Sequence, residues 1–193
     1  MTNSSFVIWC FQDNDKKSSK KHRGRIMRGL KLIVILALAS FGAGVAHSET
    51  VSVGPETNLP IPRYVSLKAG KANIRRGPGL TYRIDWVFLR RGMPLEIVAE
   101  HGHWRKIRDV DDAGGWVHHA LLRGSRTAVV TAPRTAMRTM PGLDKDIVAI
   151  AEAGVIVDIE RCGVNWCEVE KDDHEGWVQK DDIWGAREDE TFE

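Results

Sequence analysis

The sequence predicts an all-β protein made of two small β units in tandem, and three observations carry that prediction. The first is an internal repeat. Ala72 to Leu80 reads ANIRRGPGL and Thr135 to Leu143 reads TAMRTMPGL, so Arg75, Pro78, Gly79 and Leu80 recur at an offset of 63. Gly92 and Trp104 recur at 62 as Gly154 and Trp166, and Gly115-Trp116-Val117 and Gly124 recur at 61. Offsets that drift by one residue at loops are what a duplicated unit with small deletions leaves behind. The second observation is a two-residue hydrophobic period: Leu95, Ile97 and Ala99 share one strand face, as do Val155, Val157 and Ile159. The third is frequent punctuation by turn signals, among them Gly77-Pro78-Gly79, Arg91-Gly92, His101-Gly102 and Ala113-Gly114-Gly115. No segment after residue 50 sustains a helical period, and short strands at this spacing indicate a small barrel or sandwich.

The chain divides in order. Within residues 1–48, Leu32 to Ala46 is a run of fifteen residues without charge, preceded by Lys16, Lys17, Lys20, Lys21, Arg23, Arg25, Arg28 and Lys31. Small residues follow it, with Gly44-Val45-Ala46 or Ala46-His47-Ser48 as a cleavage pattern. A basic start, a short apolar run and a small-residue exit describe a secretory signal peptide. The run is shorter than the roughly 20 residues a spanning helix needs, so no stable membrane anchor is expected after cleavage. Met27 opens a compact signal of its own, MRGLKLIVILALASFGAGVAHS, and is the expected start of translation. Residues 49–62, with three prolines, read as an extended linker. Residues 63–126 and 127–186 are the two units, and 187–193 form an acidic tail.

At these residues the sequence resembles the bacterial Src-homology-3-like (SH3b) family. The first copy supplies that family's pattern through Asn73, Arg75, Gly77, Pro78, Tyr82, Gly92, Gly102-His103-Trp104 and Gly115-Trp116-Val117. The resemblance implies that each unit is a small SH3-like barrel and that ligand-binding members build a groove beside the loop after Gly77-Pro78-Gly79. In the second copy Ala136 and Met140 stand where the pattern has Asn and Gly, so the implied loop function attaches to the first copy.

Four duplicated tryptophans, Trp104, Trp116, Trp166 and Trp177, are expected to pack the core or barrel rim, because a sixty-residue unit depends heavily on each large aromatic. Tyr64, Tyr82, Trp86 and Trp184 have no counterpart in the other copy. A residue retained for the fold should occur in both, which makes these four the candidate ligand contacts. Cys162 and Cys167 flank a four-residue hairpin loop and are expected to form a disulfide in an oxidising compartment. Strict alternation would put Cys162 and Ile159 on opposite faces, so the pairing requires a bulge. His101, His103, His118 and His119 match no metal-ligand spacing and read as solvated loop residues. No cofactor motif, nucleophile elbow or phosphate loop is present, and the chain is expected to bind rather than catalyse.

The formal net charge of +2 and a pI near 8.5 suggest nucleic acid, but the charge is unevenly placed. Residues 1–48 hold eight basic and two acidic side chains, residues 49–126 hold 13 and 8, and residues 127–193 hold 7 and 16. Without the export signal the protein is acidic with a basic first half, so no nucleic-acid partner is expected. The expected role is a periplasmic or secreted, non-catalytic module of the cell envelope. Its expected partner is peptidoglycan or an extended peptide bound through an aromatic groove. The alternative is a structural module that pairs with an envelope protein and has no cell-wall ligand.

Overall fold

A computed structural model describes residues 52–193; residues 1–51, and with them the expected signal peptide, the Met27 start and Cys10, lie outside the described residues. The first described element is a hairpin of β1 (Ser52–Val53) and β2 (Pro60–Ile61). It lies inside the segment expected to be an extended linker. A buried carboxylate holds it: Glu100 accepts hydrogen bonds from the amides of Glu56 and Thr57 at 3.0 Å and from Thr57 Oγ1 at 2.8 Å.

The first barrel follows, with β3 (Arg63–Leu67), β4 (Ala72–Arg75), β5 (Ile84–Phe88), β6 (Pro94–His101), β7 (Trp104–Arg108), β8 (Gly114–His118), a 3₁₀ turn at His119–Leu121 and β9 (Leu122–Arg123). The second repeats it as β10 (Thr127–Val130), β11 (Arg134–Arg138), β12 (Ile147–Glu152), β13 (Ile156–Cys162), β14 (Trp166–Lys171), β15 (His174–Gln179), a 3₁₀ turn at Lys180–Asp182 and β16 (Ile183–Trp184). The two seven-stranded sheets run in the same order, β5-β4-β8-β7-β6-β3-β9 and β12-β11-β15-β14-β13-β10-β16. The protein is therefore all-β, with two tandem SH3-like domains.

Even the irregularities are duplicated. The β4–β5 pairing slips so that Asp85 is the extra residue, and the β11–β12 pairing slips at Val148, its counterpart at an offset of 63. The β6–β7 and β13–β14 pairings slip at Val98 and Glu160, related by 62. A bulge reverses which residues face inward. Leu95 and Ile97 are buried as expected, but beyond Val98 the inward position falls to Glu100, and Ala99 is only half-buried. In the second barrel the same bulge puts Ile159 and Cys162 on one side, both buried. Cys162 then stands opposite Cys167, their Cα atoms 4.1 Å apart, and the two are joined in a disulfide.

Each barrel has its own small core. Val65, Leu67, Ile74, Phe88, Leu95, Ile97, Ile107 and Val117 pack in the first, and Val130, Met137, Val157, Ile159, Val169, Val178 and the disulfide in the second. No tryptophan belongs to either core; all four duplicated ones are half-buried at the surface of their barrels. The glycine of Gly-Trp-Val is required by a close approach of strands. A side chain at Gly115 would stand 2.6 Å from the Arg75 carbonyl oxygen, and one at Gly176 would stand 3.1 Å from that of Arg138. The C-terminal segment folds back on the second barrel. Lys180 Nζ donates to the carbonyls of Arg187, Glu188 and Glu190, and Phe192 exchanges backbone hydrogen bonds with Cys162.

Candidate functional site

The duplicated arginine has a local structural task. Arg75 donates to the Tyr82 carbonyl at 2.7 Å, and Arg138 donates to the Lys145 carbonyl at 2.6 Å, so each ties down the loop that follows its strand. In the first barrel the Tyr82 ring lies on that loop. A side chain on Gly77 would meet the ring at 2.5 Å, which couples the glycine to the tyrosine. The second copy has lost both, with Met140 and Lys145 in their places. Tyr82 covers glycine backbone with one face and remains 48% exposed.

Trp86 stands on β5 opposite Ile74 and is 51% exposed. The strand is a sheet edge, and Ile84 and Val87 beside it are exposed as well. Two arginines, Arg76 and Arg83, hold the bulged Asp85 between these apolar residues, keeping its carboxyl below the usual range. Tyr64 and Trp184 lie elsewhere. They meet edge to face with ring centroids 5.0 Å apart, joining β3 of the first barrel to β16 of the second. Burial, with the Glu96 charge on the opposite strand, pushes the Tyr64 hydroxyl up to about 12. The four aromatics singled out in the sequence thus fall into two places: Tyr82 and Trp86 on the first barrel, Tyr64 and Trp184 at the junction.

A surface depression of about 300 Å³ lies on the first barrel beside Tyr82's loop. Leu80, Trp104 and Leu121 supply its apolar lining, and Lys71, Arg75 and His118 its charge-bearing lining. Its counterpart on the second barrel, about 490 Å³, is lined by Leu143, Trp166 and Gln179, at positions equivalent to Leu80, Trp104 and His118. There Asp181 and Glu188 enter the wall. A duplicated tryptophan lines each depression. The signal was in the repeat itself, but duplication there reads equally well as packing.

The histidines are brought together by strand pairing. Trp104 stands opposite His118 in the β7–β8 ladder, and the His119 amide donates to the His103 carbonyl at 2.9 Å. The rings of His103, His118 and His119 stack at centroid separations of 4.8 to 5.8 Å, and Trp104 meets His118 edge-on. Partial burial, then the neighbouring His118, Arg105 and His103, lower the His119 pKa below the ordinary histidine value. Stacked rings do not converge their nitrogens. Among the described residues no group of three or more His, Cys, Asp or Glu side chains is arranged to hold a metal ion.

Two SH3-like barrels in tandem, with the same strand order in each, define a class of small β-barrel domains. The bacterial SH3 domain family matches the chain twice, over residues 68–124 and 131–185, and the chain belongs to that family. No curated protein matches it. Among solved structures it is similar to NlpC2 from Trichomonas vaginalis, at 12% identity over 64% of this chain and 48% of that one, with a TM-score of 0.31. NlpC1 from the same organism is similar at 13% identity over 69% and 48%, also with a TM-score of 0.31. The match spans about half the length of each of those proteins.

Proposed function

We propose that the protein is an exported, non-catalytic module of the cell envelope that docks an extended ligand, peptidoglycan or a peptide, on its first barrel. One observation carries the reading: the Trp104 depression lies beside the loop that bears exposed Tyr82, exposed Trp86 stands on the neighbouring strand β5, and Lys145 and Ala149 take the places of these two aromatics in the second copy. Half-exposed aromatics give an extended chain apolar contact area at low cost in side-chain entropy. Bacterial SH3 domains are often cell-wall binding modules, which supports the wall as partner. Export rests on the signal-like residues 27–48, and the Cys162–Cys167 disulfide fits an oxidising compartment.

Sedimentation of the purified protein with wall sacculi tests the proposal. Wild type pellets with sacculi, and the Tyr82→Ala/Trp86→Ala double variant loses about tenfold in affinity, the scale of two lost stacking contacts. The second reading, a protein–protein module, draws on the exposed apolar edge strands, where Ile147, Val148 and Ile150 on β12 repeat the exposure of β5. It gains if wild type stays in the supernatant.

A further inference from the structure

A depression of about 530 Å³ lies not on a barrel face but at the junction, between the β1–β2 hairpin, β3, the connection at Arg126 and the C-terminal segment. Four arginines line it: Arg63, Arg105, Arg126 and Arg187. Two are already answered. Glu100, whose side chain is fully buried, accepts from Arg63 at 2.6 Å and lies 3.3 Å from Arg105 Nε. The other two share one carboxylate. Arg126 grips Glu190 in a two-pronged contact at 2.6 and 2.8 Å, and the Arg187 backbone amide donates to the same carboxylate at 3.3 Å. The Arg187 guanidinium spends one donor on the Pro62 carbonyl. The Arg126 Nε–H is buried without an acceptor, and the Arg187 Nε–H makes no hydrogen bond, with the exposed Asp189 carboxylate 3.5 Å away. An uncompensated buried donor is disfavoured, and the one on Arg126 marks a place short of an acceptor oxygen.

We propose that this junction cleft is a second binding site, which takes a carboxylate carried by a short apolar peptide-like chain in exchange for the Glu190 carboxylate on Arg126. The geometry supports a carboxylate because one is already seated there. The Arg126 guanidinium stacks over Phe192 at 4.6 Å and Tyr64 at 5.6 Å, so its planar fork is fixed before any ligand arrives. Leu59, Pro60, Val65, Ile97 and Leu122 give the cleft apolar walls suited to small side chains. The cleft also adjoins the Trp104 depression, since His119 lines the one and His118 the other, with their rings stacked 4.8 Å apart. That continuity places the acidic end of an extended ligand in the cleft. It is the only step that rests on the function proposed above.

Soluble probes test the site independently of sacculi. The purified protein is titrated with N-acetyl-alanyl-leucine, with its C-terminal amide and with inorganic phosphate, following the side-chain Nε–H resonances of Arg126 and Arg187. The free acid shifts both resonances and the amide shifts neither. Glu190→Gln removes the internal competitor and raises the acid's affinity about tenfold, whereas Arg126→Gln abolishes its binding. Should Arg126→Gln fail to fold, the acid–amide contrast in wild type and the Glu190→Gln titration decide alone. Equal shifts from acid and amide, no gain in Glu190→Gln, or phosphate binding as tightly as the acid would each overturn the proposal. Failure of the protein to pellet with sacculi would leave the acid–amide result to be read as it stands.

Discussion

Glu100 ties the β1–β2 hairpin to Arg63 and Arg105 of the first barrel. Burial disfavours its ionised form, yet hydrogen bonds from Arg63, Thr57 Oγ1 and two backbone amides hold its carboxyl down at about 2. A carboxyl with a lowered folded pKa stabilises the protein above the unfolded value and loses that contribution as pH falls through the folded one. The stability difference between wild type and Glu100→Gln should therefore be full above about pH 5 and shrink as pH falls toward about 2. Urea midpoints across that range check it, with a difference of about 3 kcal/mol at neutral pH, because Arg63 and Arg105 would be left unpaired. A difference independent of pH would contradict this role. This role is not legible from residue order, because alternation from Leu95 and Ile97 points Ala99 inward and Glu100 outward. Only the bulge at Val98 turns Glu100 in, and a bulge depends on register against β7 rather than on local composition.

At the scale of elements, the strands, their faces and the duplication were legible because a two-residue period and a repeat offset are local or self-referential signals. The drift in offset from 63 to 62 marks a length change between β5 and β6, while the bulges themselves are retained in both copies. The disulfide was legible through its spacing, and the alternation argument against it pointed to the bulge that reconciles it. The histidine stack was not legible, since it needs β8 paired with β7 before His118 and His119 meet His103. The Cys162–Cys167 crosslink closes a very short loop, so its effect on the unfolded chain is limited to about 2 kcal/mol. Reduction should lower the unfolding free energy by that amount, read from urea titrations. Hydrogen exchange should quicken most along β13, β14 and the Phe192 bridge, since these elements meet at the disulfide. Uniform loss of protection over both barrels would show that the link acts globally instead.

For the whole molecule, a basic first half beside an acidic second half implies attraction between barrels. The structure supplies it chiefly at the connection, where Arg126 and Glu190 form a partly buried pair that salt screens little. Arg123 and Asp158 approach only to 3.9 Å at the surface, and such a pair contributes about 0–1 kcal/mol. The joint is also made by the Tyr64–Trp184 contact, by Arg90 donating to the Gly154 carbonyl at 2.9 Å and by Arg187 donating to the Pro62 carbonyl at 3.0 Å. Neutral acceptors and ring contacts are screened little by salt. Small-angle scattering profiles should therefore coincide at low and high ionic strength, and expansion at high salt would restore the electrostatic explanation.

The two barrels also provide a matched control for function, because Trp104 and Trp166 occupy equivalent grooves of different charge. The most direct measurement is the affinity for wall sacculi of Trp104→Ala and Trp166→Ala side by side. Binding by the first barrel predicts that Trp104→Ala loses about tenfold or more while Trp166→Ala stays near wild type. Equal losses, or a loss confined to Trp166→Ala, would contradict the assignment of ligand binding to the first barrel.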